Sequence, residues 1–355
     1  MSKTRVLVVE DSLTVRARLL EVIASDPGLE VVGEAGDGRA AIELCGRLRP
    51  DVVTLDMMLP VMTGLAATEY IMAHFPTPIL VVSASFNRGE VFKTYDALAA
   101  GAVDVIEKPR GDEAPGAWEQ QFLSTLRIVS RVRVITHPRA RLSGMHEVAR
   151  LRPPSAPPGT PGALKLVAIG VSTGGPSALV ALLRALPPTF STPVLVVLHL
   201  SAPFALAFAD WLTGQVGRRV GFATDGEALE AGRGEVRLAP PDRHMVLRGG
   251  RLWLTNDPER HSCRPSVDVL FESIAAEQAP TTVACLLTGM GRDGAVGLLE
   301  LRRGGAVTIG QDEATSVVYG MPREAALIGA VEHVLPLAEI GPLVVELFRS
   351  RGGRA

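Results

Sequence analysis

In the first third of the chain, short continuous apolar runs alternate with stretches of helical periodicity. The runs cover residues 6–9, 31–32, 52–55, 79–82 and 103–106. They are unbroken rather than alternating, the pattern of parallel strands buried on both faces. Between them, residues 13–24 and 39–48 repeat apolar side chains at helical spacing. Five such β-α units predict a doubly wound open sheet of parallel strands. Trp118, Phe122, Leu126 and Val129 extend the rhythm and predict a helix over 117–134.

The pattern then breaks. Residues 138–163 hold six prolines and three glycines and little that could build a core, which reads as a semi-extended connection. The rhythm resumes beyond it: a strand at 166–171, a helix at 176–186, a strand at 194–198 and a helix at 204–215. HMVLRGGRLWLT alternates around Gly249-Gly250 and predicts a β-hairpin with a two-residue turn. A strand at 282–287, a helix at 293–303 and a strand at 306–309 follow. The second unit is thus also α/β, doubly wound and mostly parallel, with an antiparallel hairpin. The expected organisation is a first domain over 1–124, a helix and basic linker over 125–163, and a second domain over 164–350.

Charge sharpens this division. The net formal charge of the whole chain is −2, but 1–124 carry −7, 125–165 carry +7 and 166–355 carry −2. The basic stretch reads as a solvated linker; no aromatic or helix-turn-helix pattern accompanies its arginines, so nucleic acid is not an expected partner. With 47% hydrophobic and 21% charged residues, the 355-residue chain is ordinary globular material. No apolar run approaches the roughly 18 residues of a membrane span. The apolar stretch at 6–9 stops at Glu10 and Asp11, unlike a secretory signal. Cys45, Cys263 and Cys285 form neither a CxxC metal site nor a disulfide framework. A cytoplasmic protein without membrane insertion is expected.

Ligands of open parallel sheets bind at the carboxyl ends of the strands. In the first domain those ends carry Glu10 and Asp11, then Asp56, Ser83 and Lys108. Three converging carboxylates repel one another unless a cation lies among them, and an all-oxygen set suits Mg²⁺. Asp56 would then be a nucleophile toward phosphorus, with Lys108 adding positive charge. One acid at a strand end is commonly a helix cap; five matching positions in order are not. The segment resembles a response-regulator receiver domain. The resemblance implies metal ligation by Glu10, Asp11 and Asp56, phosphorylation of Asp56, and a switch through Ser83 and Lys108. Receivers often carry an aromatic three residues before the lysine; here Val105 stands there.

The second domain opens with KLVAIGVSTGGPSAL, in which Gly170, Ser172 and Gly174 match G-x-S-x-G between a strand and a helix. Such a turn exposes a hydroxyl near helix N-terminal amides. It is equally a phosphate cradle, or a plain turn with Ser172 as a cap. A serine nucleophile needs a base and an orienting acid. His199 ends the next strand, so parallel pairing would set it beside Ser172. Asp293 follows the strand VACLLTGMG. The order Ser, His, Asp differs from that of α/β-hydrolases, chymotrypsin-type and subtilisin-type enzymes.

IGVSTGGPSAL, RLAPPDRHMVL, RPSVDVLFES, LLTGMGRDGA and DEATSVVYGMPREA are similar to the catalytic domain of chemotaxis protein-glutamate methylesterases, over nearly all of 166–335. The resemblance implies Ser172 as nucleophile, His199 as general base and acid, and Asp293 as orienting carboxylate. It also implies Thr173 as a support for the histidine and the Met290 N–H as an oxyanion donor. Its substrate would be a glutamate γ-methyl ester on chemoreceptor cytoplasmic helices, with receptor glutamine as a second substrate. A chemotaxis histidine kinase would be the phosphodonor, and the esterase would need no cofactor. After His199 the chain reads LSAPF in place of a Met-Pro pair. Three rivals compete. A nucleotide-binding Rossmann module wants an acid where His199 stands. A transcriptional regulator needs a helix-turn-helix output. A general serine esterase would not require a methylated receptor.

Overall fold

The computed structural model describes residues 3–84, 88–109, 111, 114–132, 134, 163–200, 202–229 and 233–352. The expected linker lies outside the described residues apart from Ala163. The first unit runs β1 (Thr4–Val9), α1 (Leu13–Ala24), β2 (Leu29–Ala35), α2 (Gly38–Leu48), β3 (Val52–Leu55), α3 (Gly64–His74), β4 (Ile79–Ser83), α4 (Arg88–Ala99), β5 (Asp104–Glu107) and α5 (Ala117–Val129). The apolar runs form one parallel sheet in the order β2-β1-β3-β4-β5. Helix starts follow local chemistry: Ser12, Asp37 and Thr63 accept backbone N–H groups and cap α1, α2 and α3. Helix α5 stops short of the expected end at 134. Ser130 forms its C-cap, its backbone N–H bonding the Leu126 carbonyl.

The second unit comprises β6 (Leu166–Val171), α6 (Gly175–Ala185), β7 (Val194–Leu198), α7 (Ala202–Val216), β8 (Val220–Phe222), β9 (Glu227–Ala228), β10 (Val236–Leu238), β11 (His244–Arg248), β12 (Arg251–Thr255), α8 (Val267–Gln278), β13 (Thr282–Leu286), α9 (Ala295–Arg303), β14 (Val307–Gln311), α10 (Met321–Leu327), β15 (His333–Leu335) and α11 (Leu337–Ser350). Seven strands form a parallel sheet in the order β15-β14-β13-β6-β7-β10-β8. The expected hairpin is β11-β12, joined at its edge by β9. No helix among the described residues is long and apolar enough to cross a membrane.

Strand β6 lies between β13 and β7, so the chain reverses its winding direction there. A crevice opens at such a point, beyond the carboxyl ends of the strands. One apolar core runs from Leu7, Leu55 and Val81 of the first sheet, through Tyr95 of α4, to Val167, Ile169 and Val196 of the second. The two units are therefore packed together.

Candidate active site and phosphoacceptor site

At the carboxyl edge of the first sheet, parallel registry brings β1, β3 and β5 together. Glu10, Asp11 and Asp56 place carboxylate oxygens within 4.8 Å of one another. The Lys108 ammonium lies 2.9 Å from Asp56 Oδ2 and 2.9 Å from Glu10 Oε2. Glu10 and Asp56 are buried. Burial raises the pKa of Glu10, and Asp56 pushes the same way, while Lys108 pulls against them. For Lys108, burial opposes the charge, but Asp56 and Glu10 outweigh it and raise its pKa. A compact all-oxygen cluster with one exposed acid fits a hard divalent cation that keeps part of its water shell. Ser83 is fully buried and accepts a hydrogen bond from the Thr94 hydroxyl of α4 at 3.2 Å. Val105, where receivers often have an aromatic, lies beside Asp104 in β5.

In the second sheet, Ser172, His199 and Asp293 follow three adjacent strands, β6, β7 and β13. The register Val171↔Leu198 and the bond from His199 N–H to the Val171 carbonyl, 3.2 Å, set Ser172 and His199 side by side. Ser172 lies on a sharp turn whose Gly174 has φ +77° and would drive a Cβ into Val317 at 2.6 Å. His199 Nε2 lies 2.9 Å from Asp293 Oδ2. Among the described residues no hydrogen bond joins Ser172 to His199. Met290 is exposed, and among the described residues its N–H donates to no backbone acceptor.

Asp293 is held by the start of α8. Its Oδ1 accepts from Ser266 Oγ at 2.7 Å and from Asp268 N–H at 3.0 Å; its Oδ2 accepts from Val267 N–H at 2.7 Å. Burial opposes its charge, but His199 and these donors prevail and lower its pKa. Gly294, at φ +87°, lets this loop close on Val267, which a Cβ would meet at 2.6 Å. Burial also opposes a charged His199. Hydrogen bonds with Asp293 and Cys263 overcome it and raise the imidazole to about 9. The Cys263 thiol lies 3.8 Å from His199 Nδ1, the ring nitrogen turned away from Asp293. The competing histidines are engaged elsewhere: His244 with Ser266 N–H and the Pro258 carbonyl, His261 with Asp268.

The first unit docks beside the Ser172 turn. Tyr95 of α4 is fully buried, donates its hydroxyl to the Phe204 carbonyl of α7 and packs its ring 5.1 Å from both Phe208 and Trp211. Trp211 Nε1–H donates to Asp96 at 2.9 Å, and Ser177 of α6 donates to the Leu98 carbonyl at 2.7 Å. Thr173 faces the Asp104 carboxyl closely enough to hold its pKa down, so in this conformation it lies at the docking contact. Burial pushes Asp104 up to about 6, against the pull of Val105 N–H and Thr173. Ser266, Cys263, Thr94 and Asp104 are site or contact residues that the strand-end argument passes over. Only Ser266 carries a readable local signal, as a serine directly before the helical run VDVLF.

A family profile described as CheB methylesterase matches residues 167–344, and one described as response regulator receiver domain matches residues 6–114. Protein-glutamate methylesterase/protein-glutamine glutaminase 2 of Anaeromyxobacter dehalogenans is 42% identical over 345 residues, covering 97% of each chain. Protein-glutamate methylesterase/protein-glutamine glutaminase 1 of Cupriavidus pinatubonensis is 41% identical, covering 96% of this chain and 97% of that protein. The solved CheB methylesterase catalytic domain of Thermotoga maritima is 34% identical with a TM-score of 0.49, covering 52% of this chain and 99% of its own. With its receiver segment in front and its methylesterase segment behind, the chain belongs to the protein-glutamate methylesterase/protein-glutamine glutaminase family of CheB response regulators.

Proposed function

We propose that the protein hydrolyses glutamate γ-methyl esters on the cytoplasmic helices of chemoreceptors and that phosphorylation of Asp56 switches this activity on. The observation that carries the reading is the His199–Asp293 hydrogen bond on strand ends adjacent to Ser172, beside a docked receiver helix. Ser172 Oγ attacks the ester carbonyl carbon while His199, in its neutral form, takes its proton. Because Nε2 is engaged with Asp293, Nδ1 is the nitrogen that receives it. The negative oxygen of the tetrahedral intermediate is stabilised by the Met290 N–H. Collapse expels methanol, its oxygen protonated by His199. Water activated by the same imidazole then cleaves the acyl-enzyme and leaves a glutamate carboxylate. A glutamine amide follows the same path with ammonia as leaving group, so receptor deamidation is the second activity. The esterase steps use the chain's own side chains. Thr173, released from Asp104 when the receiver moves, can then support His199.

In the receiver, Glu10, Asp11 and Asp56 would hold Mg²⁺, which supplies charge neutralisation for an incoming phosphoryl group. Asp56 is the nucleophile toward phosphorus, and a chemotaxis histidine kinase in the cytoplasm is the donor. Without an aromatic at Val105, the signal leaves through α4. A phosphoryl group on Asp56 draws the Ser83 hydroxyl and removes one of the two acceptors of the Thr94 hydroxyl, which also reaches the Glu90 carbonyl at 3.1 Å. The next two residues, Tyr95 and Asp96, anchor α4 to α7. Loosening them favours the undocked form and opens the Ser172 face to a receptor helix. The test is methanol release from methylated receptor membranes by the full chain, with and without Mg²⁺ and a small phosphodonor. Release that rises with phosphodonor is expected. Release that is absent in both conditions would sink the esterase reading; release indifferent to phosphodonor would sink the switch.

A further inference from the structure

We propose that the candidate active site is also a binding site for a thiophilic divalent cation, with Zn²⁺ the best match, held by Nδ1 of His199 and Sγ of Cys263. The blocking consequence rests on the roles proposed for His199 and Ser172; the binding itself does not.

The two atoms are 3.8 Å apart. Tetrahedral zinc, with Zn–S of about 2.3 Å and Zn–N of about 2.0–2.1 Å, separates its sulfur and nitrogen ligands by about 3.5 Å. A few tenths of an ångström of side-chain adjustment would close the pair on a metal. The other ring nitrogen, Nε2, is bonded to Asp293 Oδ2 at 2.9 Å. That is the carboxylate–histidine–metal relay which fixes the tautomer and strengthens a metal-binding imidazole. Asp293 is itself fixed by Ser266, Val267 and Asp268, so it orients the ligand from outside the coordination shell.

Cys263 is also held in place. It is bridged to Arg260 by two backbone hydrogen bonds of 2.9 and 3.1 Å, and its sulfur lies 3.4 Å from the His261 carbonyl. Both ligands reach solvent: Cys263 is half-buried, and the His199 side chain is 16% exposed. Cys45 and Cys285, by contrast, are fully buried. On binding, Cys263 Sγ–H and the Nδ1–H of protonated His199 each lose a proton to buffer as the sulfur–metal and nitrogen–metal bonds form. Both ligands reach solvent, so water takes the remaining metal positions. The lone pair that would accept the Ser172 proton is then occupied, so metal binding and ester hydrolysis exclude each other. Sulfur and imidazole select against Mg²⁺, whereas the carboxylates of the receiver favour it. Mg²⁺ and Zn²⁺ thus act on different units of the same chain and with opposite effect.

The experiment uses the full chain, reduced and saturated with Mg²⁺, titrated with Co²⁺ as a spectroscopic substitute and with Zn²⁺ in competition. Only a cysteine ligand gives a sulfur-to-cobalt charge-transfer band, so occupation of the receiver acids is silent. The expected result is a band in the wild type that Zn²⁺ displaces and that both Cys263→Ser and His199→Ala abolish. Inhibition by Zn²⁺, measured against each protein's own rate in chelator, should be at least tenfold less potent in Cys263→Ser. A wild type without the band, a band that persists in Cys263→Ser, or equal inhibition of both proteins would overturn the proposal. The absorption result is read whether or not the protein demethylates receptors, which separates failure of this site from failure of the esterase reading.

Discussion

Replacing Tyr95 by Phe tests the docking contact with one atom. The ring stays and keeps its packing against Phe208 and Trp211. Only the hydroxyl that donates to the Phe204 carbonyl is lost. Phe204 lies within α7, so its carbonyl keeps its place in the helical ladder and no buried acceptor is left bare. The cost is therefore that of an ordinary net hydrogen bond, about 1 kcal/mol. It is charged to the docked form alone, because in the undocked form both groups are hydrated. One kilocalorie is about a fivefold change in an equilibrium constant. When the docked form dominates, the open population rises by that whole factor. Methanol release by the unphosphorylated variant should thus be about fivefold above the wild type, while the fully phosphorylated rate is unchanged. The assay is initial-rate methanol release from methylated receptor membranes. An unphosphorylated rate equal to that of the wild type, from a variant with unchanged thermal stability, would refute the claim that α4 restrains the esterase through α7.

Ser172→Ala should lower kcat by about four to six orders of magnitude in the same assay without altering the unfolding midpoint. Asp293→Asn should cost about four orders of magnitude in kcat, because the neutral amide no longer fixes the histidine tautomer. Asp56→Asn should abolish the response to phosphodonor while leaving the basal rate, measured by methanol release with and without donor. The imidazole of His199 is raised from 6.5 to about 9, so its pairing with Asp293 stabilises the fold fully below about 6.5 and is lost as pH climbs through about 9. The gap in unfolding midpoint between wild type and Asp293→Asn, followed by calorimetry, should therefore shrink between neutral pH and about pH 10.

Periodicity made most of the scaffold readable. The helical spacing over 13–24 matches α1, the apolar run 52–55 is β3, and HMVLRGGRLWLT folds as β11-β12. Strand ends then gathered the candidate residues, because parallel registry fixes which residues share an edge: Ser172 and His199 are neighbours through Val171↔Leu198. What the strand-end argument could not see depends on contacts distant in sequence. Cys263 lies in a loop without periodicity and meets His199 from 64 residues away. Asp293 reads locally as a cap for its own helix, yet it is the start of α8 that holds it. Tyr95 and Asp104 fit the pattern of an ordinary helix core and strand end, and only the packing of the two units shows that they touch the second one.

Helix α4 bonds to Ser83 on one side and to α7 on the other, and that arrangement runs in both directions. Coupling between two sites is a single free energy, so whatever factor phosphorylation adds to receptor binding, receptor binding must add to phosphorylation. A methylated helix seated on the Ser172 face would hold α4 away from α7 and leave Ser83 free to meet a phosphoryl group. Substrate would then act as an agonist of the receiver. In a crowded receptor array the modified enzyme would accumulate where esters remain and revert to the docked form as they are consumed. The output would track the amount of work left to do as well as the strength of the incoming signal.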